Sequence, residues 1–271
     1  MRRYTSTNIG LPVVCAGLLA ACISAPAQAH PVVSFRAAAV PIPLDPNNAR
    51  SGTYPGTGSI LGAGADMEGE WKISGSEYGG SPSPLTWLKV YTPAGTRLNP
   101  QAFGTCSESI LATDGPKGCP KNSLAGPIGE GLGVVTFGGV RVHEKVSVHV
   151  FFRPDGYIFY VYGDTPALIE VMSQGTVLPT TPPFAQLLSG EVPLVASVPE
   201  ALDASVEQLR VTIGAAYKRG SKLISYATVP DGCPRNDVTT VKAELSFLDG
   251  ETLPVVSTIP CPRRRSGRPR R

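Results

Sequence analysis

Glycine and proline punctuate this chain too often for long helices. Thirty glycines and 27 prolines are spread over the 271 residues. Each proline removes a backbone donor, and each glycine raises the entropy cost of a regular helix. What lies between them has a period of two. Val140-Arg141-Val142-His143 and Val146-Ser147-Val148-His149-Val150 alternate apolar and polar residues, which buries one face of a strand and wets the other. Strand-like runs cover Val32–Val40, Asp66–Ile73, Leu85–Tyr91, Gly133–Phe137, Val140–Phe152, Tyr157–Tyr162, Leu168–Val177, Val192–Val198, Val206–Ile213, Leu223–Thr228, Val238–Leu248 and Thr252–Ile259. Arg153-Pro154-Asp155-Gly156 and Leu248-Asp249-Gly250-Glu251 carry Asp-Gly turn chemistry and predict two hairpins. Many short strands separated by turns predict an all-β antiparallel β-sandwich, immunoglobulin-like or jelly-roll-like, in one or two subdomains. Pro183–Leu188 and Pro199–Gln208 are the expected helical exceptions.

The N-terminus has the three parts of a secretory signal. Arg2 and Arg3 are its positive region, Ile9 to Ile23 its apolar run, and Ala27-Gln28-Ala29 a small-residue cleavage site, which puts the mature start at His30. The apolar run is short for a bilayer span, which takes about 20 residues, and no later segment is as long, so no transmembrane span is expected. Leu19-Ala20-Ala21-Cys22 offers a competing lipoprotein site, with anchoring through Cys22. The expected organisation is a signal over residues 1–29, an N-terminal strand and Pro/Gly-rich linker over 30–64, a β-sandwich over 65–262, and a disordered tail over 263–271.

Export gives the cysteines meaning. Cys15 and Cys22 lie in the signal, leaving Cys106, Cys119, Cys233 and Cys261. An even number in an exported chain points to disulfides. Three pairings are possible; Cys106–Cys119 and Cys233–Cys261 are preferred because each brackets a turn-rich segment. A loop of about 15 residues closed this way contributes about 3 kcal/mol in the chain-entropy model. None of the four has the C-x-x-C spacing of a structural zinc site.

From Leu85 onward a series of landmarks follows. Pro93-Ala94-Gly95, Leu98-Asn99, Phe103 and Cys106 lead to Gly118-Cys119-Pro120, Ser123 and Gly129-Glu130-Gly131. Val211-Thr212-Ile213-Gly214, Gly232-Cys233-Pro234, Phe247-Leu248-Asp249-Gly250 and Cys261 close the series. This order resembles a group of exported actinobacterial β-rich proteins of unassigned function, with a P-x-G…C…CP-x-x-S…G-x-G segment and a closing CP…DG…C segment. The resemblance spans about 175 residues. Leu124-Ala125-Gly126-Pro127 interrupts it where the relatives run straight into Ile-Gly-x-Gly. It implies a secreted, disulfide-containing β protein and no catalytic residue.

Reactive constellations are sparse. His30 at a new N-terminus could hold Cu(II) through nitrogen ligands, but it needs a second histidine, and only His143 and His149 remain. Those two are six apart on one strand face, about 20 Å, too far to share an ion. Asp66, Glu68 and Glu70 alternate, so one face could offer calcium three carboxylates; a wet strand face needs no ion and is the preferred reading. There is no G-x-S-x-G elbow and no Walker loop. Gly126, Gly129, Gly131 and Gly133 mimic a dinucleotide fingerprint without its βαβ setting, and tight turns beside Cys119 are their expected role. The expected cofactor set is therefore empty. The expected function is a secreted or surface-associated binding or envelope-structural protein, with an exported enzyme, hydrolytic or copper-dependent, as the alternative.

Charge is divided unevenly. Of 24 Lys and Arg, two lie in the signal and six in the last nine residues, leaving 16 against 21 Asp and Glu. The body is thus −5 and the tail +6. Arg263, Arg264, Arg265, Arg268, Arg270 and Arg271 have no apolar neighbour to fold against. They suit anionic cell-envelope polymer; with no aromatic interleaving they do not suit sequence-specific nucleic acid. Exposed-charge attraction is screened over about 10 Å at 0.1 M salt and about 3 Å at 1 M. Retention on envelope fractions should therefore fall steeply with salt, and a chain ending at Pro262 should stay in the supernatant at any salt. Equal binding by the truncated chain would move the contact to the folded body.

Overall fold

A computed structural model describes residues 30–40, 64–196 and 201–261. The expected signal, the linker over 41–63 and the arginine tail lie outside the described residues. The strands, in chain order, are β1 (Val32–Val40), β2 (Asp66–Ser74), β3 (Leu85–Pro93), β4 (Arg97–Leu98), β5 (Gly129–Phe137), β6 (Val140–Arg153), β7 (Gly156–Gly163) and β8 (Ile169–Pro179). They continue with β9 (Phe184–Glu191), β10 (Ser205–Ile213), β11 (Ala216–Arg219), β12 (Lys222–Ser225), β13 (Ala227–Thr228), β14 (Val238–Phe247) and β15 (Thr252–Pro260). Among the described residues one short α-helix, α1 (Glu108–Asp114), interrupts them, with three 3-10 turns nearby.

Eleven of these strands form one antiparallel sheet in the order β1-β2-β10-β5-β6-β7-β8-β9-β3-β14-β15. The all-β antiparallel class expected from the period-two runs is the class observed. The sheet curls until its edge strands meet: Ala37 N donates to Ser257 Oγ at 2.9 Å, although no backbone ladder joins β1 to β15. One sheet thus supplies both facing layers, and β1 belongs to it through a full ladder with β2. The five strands β5 to β9 run as a simple meander. β3 and β10 leave sequence order: β10 inserts between β2 and β5, and β3 between β9 and β14.

The inner face carries the core. On β14 the inward positions Thr239, Val241, Ala243, Leu245 and Phe247 are all buried. On β6 the inward set is Glu144, Val146, Val148, Val150 and Phe152, while Arg141, His143 and Lys145 point out. A second, smaller core lies outside the sheet, where Leu111 of α1 and the Cys106–Cys119 bridge cover Phe151, Ile158 and Tyr160. Ser107 caps α1 by accepting from Ile110 N.

Both expected disulfides are present. Cys106–Cys119 and Cys233–Cys261 have Cα separations of 5.4 and 5.7 Å. The first staples the loop that covers Phe151. The second joins the approach to β14 with the residue after β15, where Cys261 N also donates to Asp237 O, so the β14–β15 hairpin is held at its open end. Both Asp-Gly hairpins also form, between β6 and β7 and between β14 and β15.

Three local expectations are corrected. Pro183–Leu188 is not helical: β9 runs through it, because ladders to β8 and β3 on either side satisfy its backbone and pairing outweighs a short run's weak local preference. Within Pro199–Gln208, residues 201–204 are irregular and β10 begins at Ser205. Val192 to Ala196 is a connection and not a strand. The glycines also act elsewhere than expected. Gly129, Gly131 and Gly133 lie within β5, opposite Val148, Val146 and Glu144 of β6, so they occupy its inner face and not a turn.

Gly156 shows how tightly the sheet is drawn at its hairpins. A Cβ there would sit 1.9 Å from the backbone oxygen of Gly175 on β8, whereas one at Gly232 would meet nothing within 4 Å. Backbone cannot rotate aside as a side chain can, so overpacking of this kind costs about 1–3 kcal/mol. Gly156→Ala should lower the thermal midpoint by several degrees and Gly232→Ala should leave it within a degree, by scanning calorimetry.

Candidate functional site

The curled sheet is not filled by its own side chains. An interior cavity of about 270 Å³ is lined from ten of its eleven strands. Leu85 and Thr92 of β3 both line it, so it runs about 23 Å along that strand. Phe35, Leu88, Val90, Val148, Phe159 and Leu188 are typical of its wall. Glycine opens part of the space. Gly131, Gly133 and Gly190 line it, and a Cβ on Gly133 would meet nothing nearer than 3.6 Å. Gly69 has a different use: a Cβ there would come within 2.3 Å of the Trp71 indole, so its absence lets the ring lie flat against β2. Phe35 stacks on that indole, with centroids 5.1 Å apart.

Other segments of the chain pack at both ends of the sheet. At the end holding Ser74, Leu85 and Phe247, the β2–β3 connection crosses the opening, with Pro82, Ser83 and Pro84 fully buried. Ser81 Oγ and Thr136 Oγ1 lie 3.1 Å apart there, Leu248 N donates to Pro84 O, and Asp249 N donates to Ser83 Oγ. At the other end stands an aromatic group. Tyr226 stacks on Phe152 at 4.3 Å, and Phe103 meets both Tyr226 and Tyr217 edge-on. Tyr157 OH donates to Tyr226 OH at 2.9 Å. Burial first, then the neighbouring Tyr226, pushes the Tyr157 phenol well above its ordinary range, so the pair stays neutral.

Two polar atoms of the cavity wall are buried without a hydrogen-bond partner: Trp71 Nε1 and Glu144 Oε2. A third orphan lies beside a smaller void at the aromatic end. Asp66 is fully buried, and neither carboxylate oxygen has a partner. Sequence reading grouped Asp66 with Glu68 and Glu70, but the structure separates them. Glu68 pairs with Arg210 at 2.9 Å and Glu70 with Lys72 at 3.4 Å, both on the outer surface, so the three carboxylates do not converge on an ion.

The histidines are also apart in role. His30 Nδ1 lies 3.0 Å from Glu251 Oε2, and His143 Nε2 lies 3.0 Å from Glu207 Oε2. His149 sits half-buried beside Phe151 and Tyr160, and burial lowers its pKa. Among the described residues no three His, Cys, Asp or Glu side chains are grouped as a metal site requires, and no helix is long and apolar enough to cross a membrane. The four cysteines serve the disulfides; the six tail arginines lie outside the described residues. No protein-family model matches the chain, and no curated protein matches it.

Glu144, Trp71 and the Tyr157–Tyr226 pair were not singled out from sequence. For Glu144 a signal existed: it falls on the apolar phase of β6, between Val142 and Val146. A charge in that phase points inward.

Asp66 makes the fold sensitive to pH. Burial raises its pKa from 3.8 to about 8. Between those values the folded chain keeps a proton that the unfolded chain has lost. Stability is therefore fully present below pH 3.8, declines as pH rises, and levels off above pH 8. The cumulative loss is on the order of 5 kcal/mol. Asp66→Asn should match the wild type near pH 4 and unfold at higher urea near pH 8. Parallel urea midpoints across that range would instead give Asp66 no part in the pH dependence.

Proposed function

We propose that this is an exported β protein that holds a long apolar ligand inside its curled sheet and works at or near the cell envelope. The observation that carries the reading is the cavity. An apolar wall around about 270 Å³ of space forgoes contacts that an apolar occupant would supply, so an occupant would stabilise the sheet. Apolar cavities stay dry and take apolar guests, and this one has the shape of a chain more than of a compact ring. The two disulfides and the signal-like N-terminus support export. The basic tail supports retention near anionic polymer, and the resemblance to exported actinobacterial proteins points the same way. An enzymatic role, hydrolytic or copper-dependent, has no comparable observation behind it.

Binding of N-phenyl-1-naphthylamine, a neutral apolar dye, tests the reading. Solvent-stripped protein should bind it saturably, with a blue-shifted emission. Gly133→Leu places a side chain in the open space above Gly133; it should weaken the dye by about tenfold or more while leaving the fold as stable or more so. Absence of saturable binding, or indifference of the dye to Gly133→Leu, would remove the cavity as the functional site.

A further inference from the structure

A two-stranded ribbon packs at the aromatic end. Its strands β4 and β13 pair through two residues each, Leu98 with Ala227 and Arg97 with Thr228, and are not part of the eleven-stranded sheet. Thr96, Leu98, Tyr226 and Ala227 line the main cavity, so the ribbon forms part of its wall. Ala65 N donates to Ala227 O at 3.1 Å, and Tyr226 N to Ala215 O at 2.8 Å; Gly64 and Thr228 form an isolated bridge. The strands around it are held more firmly. Nine residue pairs join β1 to β2, and nine more, with Cys233–Cys261, hold β14 to β15. Where backbone bonds are few, a fold opens first.

Asp66 sits where the ribbon meets the sheet, one residue after Ala65. It is fully buried with both carboxylate oxygens unpartnered. It lines a void of about 40 Å³, and Met67, Thr96 and Ala227 line both that void and the main cavity. The side chains that enclose it carry no charge: Ala39 comes from β1, Thr96 from the turn before β4, Thr228 from β13, Thr239 from β14 and Ile259 from β15. Charges on the same elements are engaged or exposed. Glu68 pairs with Arg210, Arg97 with Asp231 and Lys242 with Glu244; Lys89 is the ladder partner of Glu244, and Arg36 is exposed. A neutral carboxyl tolerates such a place. An ionised one without a cation or donors does not, and its way to water is past the element held by the fewest bonds.

Resting on the apolar-ligand reading above, we propose that Asp66 latches the β4–β13 ribbon while it keeps its proton, and that its ionisation frees the ribbon and lets the ligand leave past it. The sign follows from linkage. With the ribbon closed the carboxyl keeps its proton up to about pH 8; with the ribbon open and the group in water it loses it near 3.8. Opening therefore becomes easier by up to about tenfold per pH unit between those values and gains nothing further above pH 8. The ligand is held in acid and released as pH rises.

Stopped-flow release of N-phenyl-1-naphthylamine tests this. In wild type the release rate should rise about tenfold or more between pH 5 and pH 8 and then level off; in Asp66→Asn it should stay slow and flat. A staple tests the moving part. The Ala65 to Ala227 bond makes Gly64 and Thr228 a non-hydrogen-bonded pair, with Cα atoms about 4.5 Å apart, within disulfide reach. The oxidised Gly64→Cys/Thr228→Cys protein should release dye slowly at every pH, with the single variants as controls. Hydrogen exchange supplies a readout without dye: protection of the Ala65 amide, relative to amides of β6 and β7, should fall with pH in wild type and not in Asp66→Asn. Equal pH profiles in wild type and Asp66→Asn, or undiminished release from the stapled protein, overturn the latch while the dye still marks a working cavity. If no dye binds, the cavity reading falls, and the Ala65 amide alone decides whether Asp66 moves the ribbon.

Discussion

The structure depends on burying the inner face of a single large sheet. An open sheet of eleven strands with one apolar face would leave that face in water. Twist gives the sheet a way to bury it against itself, and curling brings β1 beside β15, with the Ala37 to Ser257 contact in place of a ladder. Eight strands already close around a space that side chains can fill, and the enclosed width grows with strand number. Eleven strands therefore enclose surplus volume unless inward residues are large. Here several are not: Ala37, Gly131, Gly133, Gly175, Gly190 and Ala243 all belong to the inner face. The cavity follows from strand number and inward residue size together.

The two crossing connections follow from the same constraint. A curled sheet has two open ends, and an apolar interior cannot be left in contact with water at either. Taking β3 and β10 out of sequence order forces the β2–β3 and β9–β10 connections to cross between distant parts of the sheet. The first packs Pro82, Ser83 and Pro84 into one opening. At the opposite end the segments around Phe103 and Tyr226 supply aromatic rings. Topology thus decides where the covers lie. The Cys106–Cys119 loop packs on the outside and the Cys233–Cys261 bridge closes a hairpin end, so the disulfides secure the periphery while the interior is left to apolar contact.

Inside such a space polar groups are expensive, and that gives meaning to the few present. Tyr157 and Tyr226 satisfy one another. Glu68 turns outward to Arg210. Glu144, Trp71 and Asp66 keep buried polar atoms without a partner, and for Asp66 the consequence is a pH-dependent stability. Asp66 is enclosed further by Gly214, where a Cβ would come 2.4 Å from its carboxylate, so no bulkier residue could stand there without displacing it.

The sequence by itself determined the local geometry. The alternation in β6 and β14 set strand type and inward phase, Asp-Gly pairs set two hairpins, and cysteine spacing around turn-rich segments agreed with the observed bridges. These are properties of neighbours in the chain, and short-range physics reads them. Only the tertiary structure decided that one sheet would curl on itself, that Phe184–Glu191 would pair as a strand, and that Gly129, Gly131 and Gly133 would lie within β5, the last two facing a cavity, instead of forming turns. Each depends on which strands become neighbours, and β3 and β10 pair with strands remote in sequence. Glu144 stands between the two cases. Its inward phase was written in the chain, but the loss of every partner became visible only when β5 brought glycines opposite it and the sheet closed around them.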